Sequence, residues 1–518
     1  MMKRVENIPQ LLRENAKDIP SELFLQFEDL TYTFKEMDDY ANQAANAFKS
    51  LGVQKGQHVA FMMKNSPDYL ALWFGLAKLG AVMVPINTNI KGEGLAYILQ
   101  HSDSELLIMD EEFEEEHVRL KTEHALAVRT SSIGEMMQKV AGESKQFEDI
   151  SASIDKSHPM AIIYTSGTTG LPKGVVIPHY SYVHTGWLFQ ERMMNLTKED
   201  KLYTCLPLFH ANAQQFSVMG ALVAGIPLAL SRKFSASRFW KDIQRYEPTV
   251  FNYIGSMMTI LMKNEPTEHE ANNSVKKVFG AACPKEIWEQ FEKRFDLTIV
   301  EGYGLTETGA IALCNPLDAI RVGSIGTPMD HVEVKVVGEG GKQLPPNENG
   351  EIVVKETIGH TMFQEYYKMP EKTAETVQAG WFHTGDRGCV DNDGYFYFKD
   401  RIKDCIRYRG ENISSFEIER AVNKHPFITE SAAVGVPSDL GEEDVKVFLV
   451  LQDGKELDYE SFIRFCETEM AYYMVPRYVE IISELPKTAT QRTQKFQLRK
   501  QGNDNAWDRV KENITLNR

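Results

Sequence analysis

"YTSGTTGLPKGV" runs from Tyr164 to Val175 and sets hydroxyls, glycines, a proline and a lysine between two apolar runs. Both flanks read as strands: Ala161–Thr165 before it, and the β-branched run Val175-Val176-Ile177 at its end. A Ser/Thr/Gly loop joining two strands makes a concavity suited to an anion. Its glycines let backbone N–H groups turn toward a ligand, its hydroxyls donate further bonds, and Lys173 adds a point charge. The common phosphate loop is wired differently. There Gly-x-x-x-x-Gly-Lys-Ser/Thr opens a helix, whereas here Lys173 is followed by Gly174 and a strand. Taken alone, the stretch also fits a flexible surface turn.

Outward from this loop the chain alternates strands and helices. Residues 36–51 read as an amphipathic helix, His58–Met63 as a buried strand and Tyr69–Leu79 as a helix, followed by the strand-like AVMVPI. Such alternation predicts a parallel sheet covered on both faces, and it recurs around Lys201–Leu206, Val218–Val223 and Pro227–Leu230. The polar stretch from Gly142 to Pro159 reads as an exposed connection. From about Asp330 the pattern becomes strand, turn, strand, with Gly340, Gly341, Pro345 and Pro346 in the turn. The expected class is therefore α/β: a large N-terminal domain over 1–400 with layered sheets, a β-rich subdomain at about 330–400, and a small α+β C-terminal domain over 401–518. Within the last, helices are expected at 415–424 and 458–470 and strands at 431–435 and 445–452.

The chain has 518 residues, 42% hydrophobic and 25% charged, enough for several domains with ample core. A net charge of -16 opposes coating of nucleic acid or an anionic membrane, since the field repels phosphate. The six cysteines are scattered with no CxxC pair, which reads as free thiols in a reducing cytoplasm. The N-terminus lacks the apolar core of a signal peptide, and no apolar stretch approaches the ~20 residues of a membrane span. A cytoplasmic protein without a membrane span or nucleic-acid partner is expected; the oligomeric state is open.

Four further stretches concentrate reactive side chains. "LPLFHANAQ" (206–214) places His210 and polar groups after a strand; a lone histidine there also fits a packing role. "EGYGLTET" (301–308) sets an aromatic ring and a carboxylate around two glycines, or is a mere strand-end turn. "WFHTGD" (381–386) delivers Asp386 from a tight Gly turn, or uses it as a turn cap. "DRIKDCIRYRGENIS" (400–414) is rich in charge and by itself reads as a solvated linker.

In this order and spacing the five blocks resemble the adenylate-forming superfamily: acyl-CoA synthetases, peptide-synthetase adenylation domains and luciferases. The resemblance extends from about residue 8 to about 500, and in length and detail is similar to bacterial acyl-CoA ligases of the crotonobetaine/carnitine-CoA ligase type. It implies that the opening loop closes on the β- and γ-phosphates of ATP through Thr165, Ser166, Gly167, Thr168, Thr169, Gly170 and Lys173. Neutral donors suit a group that must leave as pyrophosphate. The resemblance also implies that Tyr303 stacks on adenine beside the Gly280-Ala281-Ala282 turn and that Thr306 bonds the α-phosphate. Glu307 would hold Mg²⁺, a hard cation. Asp386 would accept the ribose hydroxyls near Arg401, and His210 would stand between acyl pocket and nucleotide. The C-terminal domain would turn about Lys403, with Arg409 and Gly410 bordering the tunnel for coenzyme A.

The implied reaction is attack of a carboxylate on the α-phosphorus of ATP, giving acyl-AMP and pyrophosphate, then acyl transfer to coenzyme A. Delivery to a carrier-protein phosphopantetheine or an amine, and a non-catalytic nucleotide-binding regulator, are the alternatives. "FHANAQ" has no aspartate for an amino acid's ammonium, and neutral Asn212 offers a quaternary ammonium no anionic partner. A short, medium-chain or aryl acid is expected, in a cavity lined by Asn252–Met257 with Gly255 leaving room at its base. Asn212, Gln214 and Gln215 either bond a polar acyl group or face the fold. One departure stands out. Where relatives read Thr-x-Thr/Ser-Gly-Lys, this chain reads "TATQRTQK", with Gln491 for the glycine and Arg492 for the catalytic lysine. Arg492 is the expected cation, with Lys495 as the competing candidate; the remaining possibility is weakened adenylation.

Overall fold

The computed structural model describes residues 5–165, 172–270, 272–401, 404, 406–408, 411–438, 443–470, 472–488 and 492–516. The chain divides into two compact units. The first comprises Met1–Thr165, Leu171–Val334 and Val354–Phe382, the second Ser166–Gly170, Lys335–Val353 and His383–Arg518.

The first unit holds two sheets. One has six strands in the order Arg129–Ser132, Ser104–Met109, His58–Met62, Val82–Pro85, Pro159–Thr165 and Lys173–Pro178. All neighbours run parallel except the last pair, an antiparallel ladder. The other has nine strands. Its middle runs parallel from Thr298–Tyr303 through Lys277–Ala281, Val250–Ile254, Leu202–Thr204 and Leu228–Leu230 to Leu23–Phe27. Short antiparallel strands flank both sides. The mixed α/β class read from the sequence is the one observed.

Helices form where the apolar rhythm places them. Phe34–Ser50 starts with a capping box, Thr33 and Glu36 each satisfying the other's backbone N–H, and buries Phe34, Met37, Ala41, Ala44, Ala45 and Phe48 on one face. Pro67–Leu79 is capped by Ser66, ends at left-handed Gly80 and is buried all round. Between these helices a Cβ on Gly75 would stand 2.7 Å from the Ala44 methyl, so only glycine permits the crossing.

Three local expectations change. The strand near Lys201 ends at Thr204, and the polar residues after His210 lie on a π-helical segment, Asn212–Val218. Asp386 leaves no free turn: Trp381–Val390 is one strand, kinked at Gly385 with φ 71°. The 400–414 connector is no solvated linker throughout. It carries the hairpin Ile406–Tyr408 and Glu411–Ile413, and Ile406 and Ile413 are buried in the core of the second unit.

That core lies between helices Ser415–Val422 and Tyr459–Glu469 and the sheet Ile428–Pro437, Glu443–Leu451, Tyr478–Ile481 and Trp507–Asp508. The strand–turn–strand expected after residue 330 forms as Val332–Val337 and Gly350–Glu356. Among the described residues no helix is long and apolar enough to cross a membrane.

Candidate active site

Thr165 and Lys173 stand opposite each other where the antiparallel ladder opens, so the hydroxyl-rich loop joins the two strands as the sequence predicts. Ser166, Gly167, Thr168, Thr169 and Gly170 lie outside the described residues, as do Lys403, Arg409 and Gly410. The Lys173 ammonium donates to the Tyr366 hydroxyl at 3.1 Å and sits 4.2 Å from that ring's centroid. The same hydroxyl donates to Glu307 Oε1 at 2.8 Å. The lysine of "YTSGTTGLPKGV" and the carboxylate of the "EGYGLTET" block, 134 positions apart in sequence, thus meet on one tyrosine.

Backbone contacts from both sides fix that tyrosine. Val176 N–H donates to Glu365 O, Gln364 N–H to Val176 O and Tyr367 N–H to Gly174 O, which sews the segment onto the strand after the loop. On the other side Phe363 N–H donates to Glu307 O, and Tyr366 N–H reaches Thr373 Oγ1. Tyr366 is 1% exposed, and burial together with the Glu307 charge pushes its phenol far above the ordinary range. Sequence reasoning missed Tyr366, because a tyrosine in "EYYKMPEKT" has the appearance of core.

Glu307 is buried in the short turn Thr306–Thr308, with Thr306 half-buried beside it. Thr308 Oγ1 accepts from Leu305 N–H at 2.9 Å and holds the turn after Tyr303. The Gly280-Ala281-Ala282 turn ends the neighbouring strand, with Ala282 at φ 63°. Here the structure adds a second missed residue, Glu301, whose Oε1 accepts from Cys283 N–H at 3.0 Å. Burial pushes its carboxyl up to about 8, which the Cys283 and Ala282 N–H groups only partly offset. A Cβ on Gly255 would lie 2.1 Å from Ala282 O, so Gly255 admits the turn's backbone rather than leaving space.

His210 is half-buried in the turn before the π-helical segment, its ring 4.5 Å from that of Phe209. Asn65 organises this approach, donating to Leu206 O and accepting from Leu208 N–H. The three amides left open by the sequence separate in the structure. Asn212 Oδ1 accepts from Asn252 at 3.0 Å, and Gln214 is bonded to Tyr182 and Leu208 O at 2.6 Å each. Gln215 is 0% exposed, and neither amide atom has a partner among the described residues. A buried unpaired amide is costly and asks for an explanation, and π-helical turns cluster at functional sites.

In the second unit Asp386 pairs with Arg401 across the strand ladder, their side chains 3.5 Å apart. Asp400 accepts from Ser415 N–H and its hydroxyl, tying the start of the connector to a helix. Arg492 is exposed, its N–H held by Thr488 Oγ1. Lys495 is engaged: its ammonium lies 2.8 Å from Glu419 Oε1 and donates to the Ser415 hydroxyl, the two ionic side chains being only 11% and 16% exposed.

The comparisons with known proteins identify the family. The AMP-binding enzyme family matches residues 12–367, and the AMP-binding enzyme C-terminal domain matches residues 417–492. Crotonobetaine/carnitine–CoA ligase of Escherichia coli O9:H4 (strain HS) is 35% identical over 473 residues, 89% of this chain and 91% of that protein. Among solved structures, an anthranilate CoA ligase in complex with anthranoyl-AMP aligns with TM-score 0.88 at 28% identity, over 96% of this chain and 98% of that one. The o-succinylbenzoate CoA synthetase of Bacillus subtilis, in complex with its acyl-adenylate intermediate, aligns with TM-score 0.85 at 25% identity, over 96% and 99% of the two chains. With Lys173, the buried carboxylate of Glu307 and the Gly280-Ala281-Ala282 turn already placed in one unit, this chain belongs to the AMP-binding enzyme family of adenylate-forming acyl-CoA ligases.

Proposed function

We propose that this protein joins a short or aryl carboxylic acid bearing a hydrogen-bonding substituent to coenzyme A, through an acyl-adenylate. The carboxylate oxygen attacks the α-phosphorus of ATP, the bond to the β-phosphate oxygen breaks, and pyrophosphate leaves. The thiol of coenzyme A, losing its proton, then attacks the acyl carbonyl and AMP departs. The protein needs no covalent nucleophile; it positions the reactants and neutralises charge. Lys173 and the loop hydroxyls hold the β- and γ-phosphates, and Tyr303 and the 280–282 turn hold adenine. Asp386 and Arg401 serve the ribose, Thr306 and Arg492 the α-phosphate, and His210 stands beside the acyl group. Rotation about Lys403 exchanges the two half-reactions, and Arg409 and Gly410 border the path of the thiol.

Magnesium fits the donor set. Among the described residues no three metal-ligating side chains gather, so the site offers a lone carboxylate, Glu307. That suits a hard cation which completes its shell with water and phosphate oxygens. Mg²⁺ bound there supplies neutralisation of the triphosphate charge.

The observation that carries the acid's character is Gln215, buried with an unsatisfied amide beside the satisfied Asn212 and Gln214. A substituent on the acid that donates or accepts a hydrogen bond satisfies it. The test is a panel of carboxylic acids with ATP, Mg²⁺ and coenzyme A, products read by mass spectrometry. Hydroxylated, amino- or keto-bearing short and aryl acids should form thioesters best, and Gln215→Leu should erase that preference by about tenfold or more. A best substrate that is a plain alkyl chain, unaffected by Gln215→Leu, defeats the assignment of the acid. Acyl-AMP that forms yet ignores free coenzyme A moves the acceptor to a carrier protein or an amine.

A further inference from the structure

The Tyr366 hydroxyl joins two groups that act on different parts of the nucleotide, and the family match does not assign it a role. It accepts from the Lys173 ammonium at 3.1 Å and donates to Glu307 Oε1 at 2.8 Å. We propose that Tyr366 is a positioning residue that presents Glu307 to Mg²⁺ and couples metal loading to capture of the triphosphate by Lys173. This rests on the reading of Glu307 as the metal-holding carboxylate.

A carboxylate on a rotatable side chain can turn either oxygen to a cation. The Tyr366 O–H takes Oε1 and so leaves Oε2 as the oxygen for the metal. The Lys173 charge on the phenol oxygen makes its proton a better donor, because each bond in such a chain polarises the next. Nothing in the segment lets the hydroxyl drift. Its backbone is bonded to the strand Lys173–Pro178 on one side and to Glu307 O on the other. The ring packs 5.1 Å from Phe363 and is almost wholly buried. The fold thus holds one phenol at a fixed place between the phosphate loop and the metal-holding turn.

Tyr366→Phe removes the hydroxyl and keeps the ring that Lys173 overlies. Tyr367→Phe is the control: the adjacent hydroxyl donates to Asp103 at 2.8 Å, away from both groups. The primary readout is ATP binding by titration calorimetry, with and without Mg²⁺ and without any acid, so that no turnover is needed. In the wild type, Mg²⁺ should tighten ATP binding. In Tyr366→Phe that tightening should shrink by about tenfold, the usual scale for losing a hydrogen bond to a metal ligand. Metal-free ATP affinity should stay within about twofold. The Mg²⁺ concentration for half-maximal pyrophosphate release should rise by a similar factor, while kcat at saturating Mg²⁺ nearly recovers. Tyr367→Phe should match the wild type throughout.

Glu307→Gln separates the two claims. If it leaves the Mg²⁺ effect intact, the metal assignment itself fails. If it abolishes the effect while Tyr366→Phe does not change it, only the positioning role fails. Equal loss of ATP affinity with and without Mg²⁺ in Tyr366→Phe, or a variant that does not fold, reduces Tyr366 to packing and overturns the proposal.

Discussion

Two lysines from two chemistry-bearing stretches are held in opposite ways. Lys173, at the end of the hydroxyl-rich loop, reaches a neutral hydroxyl and the face of its ring. Lys495, near the C-terminus, reaches the carboxylate of Glu419, a group whose burial pushes it up and which Lys495 pulls back down. A contact with a neutral phenol, taken by itself, can be exchanged for an anion at little cost. A contact that compensates a largely buried carboxylate cannot, since its loss leaves an uncompensated charge. Position in a motif therefore does not identify a working cation; what its partner loses when it departs does. By that criterion Lys495 is committed to Glu419, which leaves the expectation that Arg492 is the working cation as the one to test.

The largest expected effect tests the separation directly. Arg492→Ala should slow carboxylate-dependent pyrophosphate release by about 10²–10³-fold, the scale for removing a charge that stabilises a transition state. Thioester formation from pre-made acyl-AMP should hardly change. Single-turnover assays of the two half-reactions check this, and equal loss in both would remove Arg492 from adenylation. Lys495→Ala should act on the fold: about 3 kcal/mol of stability lost, read as an early unfolding transition. Restoring most of it with Glu419→Gln in the same chain confirms a charge-compensation role. A stable Lys495→Ala protein with adenylation abolished would give the catalytic role to Lys495 and break the comparison.

Glu301 sharpens the same point with a smaller effect. Where Glu419 is compensated by a lysine, Glu301 is kept neutral by a proton, its carboxyl pushed up to about 8 from 4.5. The folded chain then binds a proton that the unfolded chain has already released. This contribution is fully present below about pH 4.5, is lost as pH rises, and has gone above about pH 8. Glu301→Gln keeps an acceptor for Cys283 N–H and should flatten stability across that window, leaving the variant ahead of the wild type above pH 8. Chemical denaturation at stepped pH checks it; an unchanged slope would show that Glu301 is charged in the fold.

Much of the local backbone around the candidate site was legible from the chain because backbone requirements write themselves into residue type. The loop between two strands and the turn after Tyr303 both demand small or hydroxyl-bearing residues, and these survive as local patterns. Less legible were groups whose role is to hold another group. Tyr366 and Asn65 sit in unmarked stretches and act on residues far along the chain, and Glu301, though it heads "EGYGLTET", acts on the turn of a neighbouring strand. The π-helical segment was hidden too, since its wider turn depends on what packs against it rather than on a residue signature.

The sequence by itself determined the α/β class, the strand–loop–strand around "YTSGTTGLPKGV", and the family, because periodicity, glycine placement and motif order are local properties. Only the tertiary structure decided which polar groups are already satisfied. Gln214 is occupied and Gln215 is not; Lys495 compensates Glu419; Lys173 and Glu307 share one phenol. Whether a buried polar group has found its partner depends on distances of about 3 Å between residues remote in sequence, and these exist only once the chain has folded.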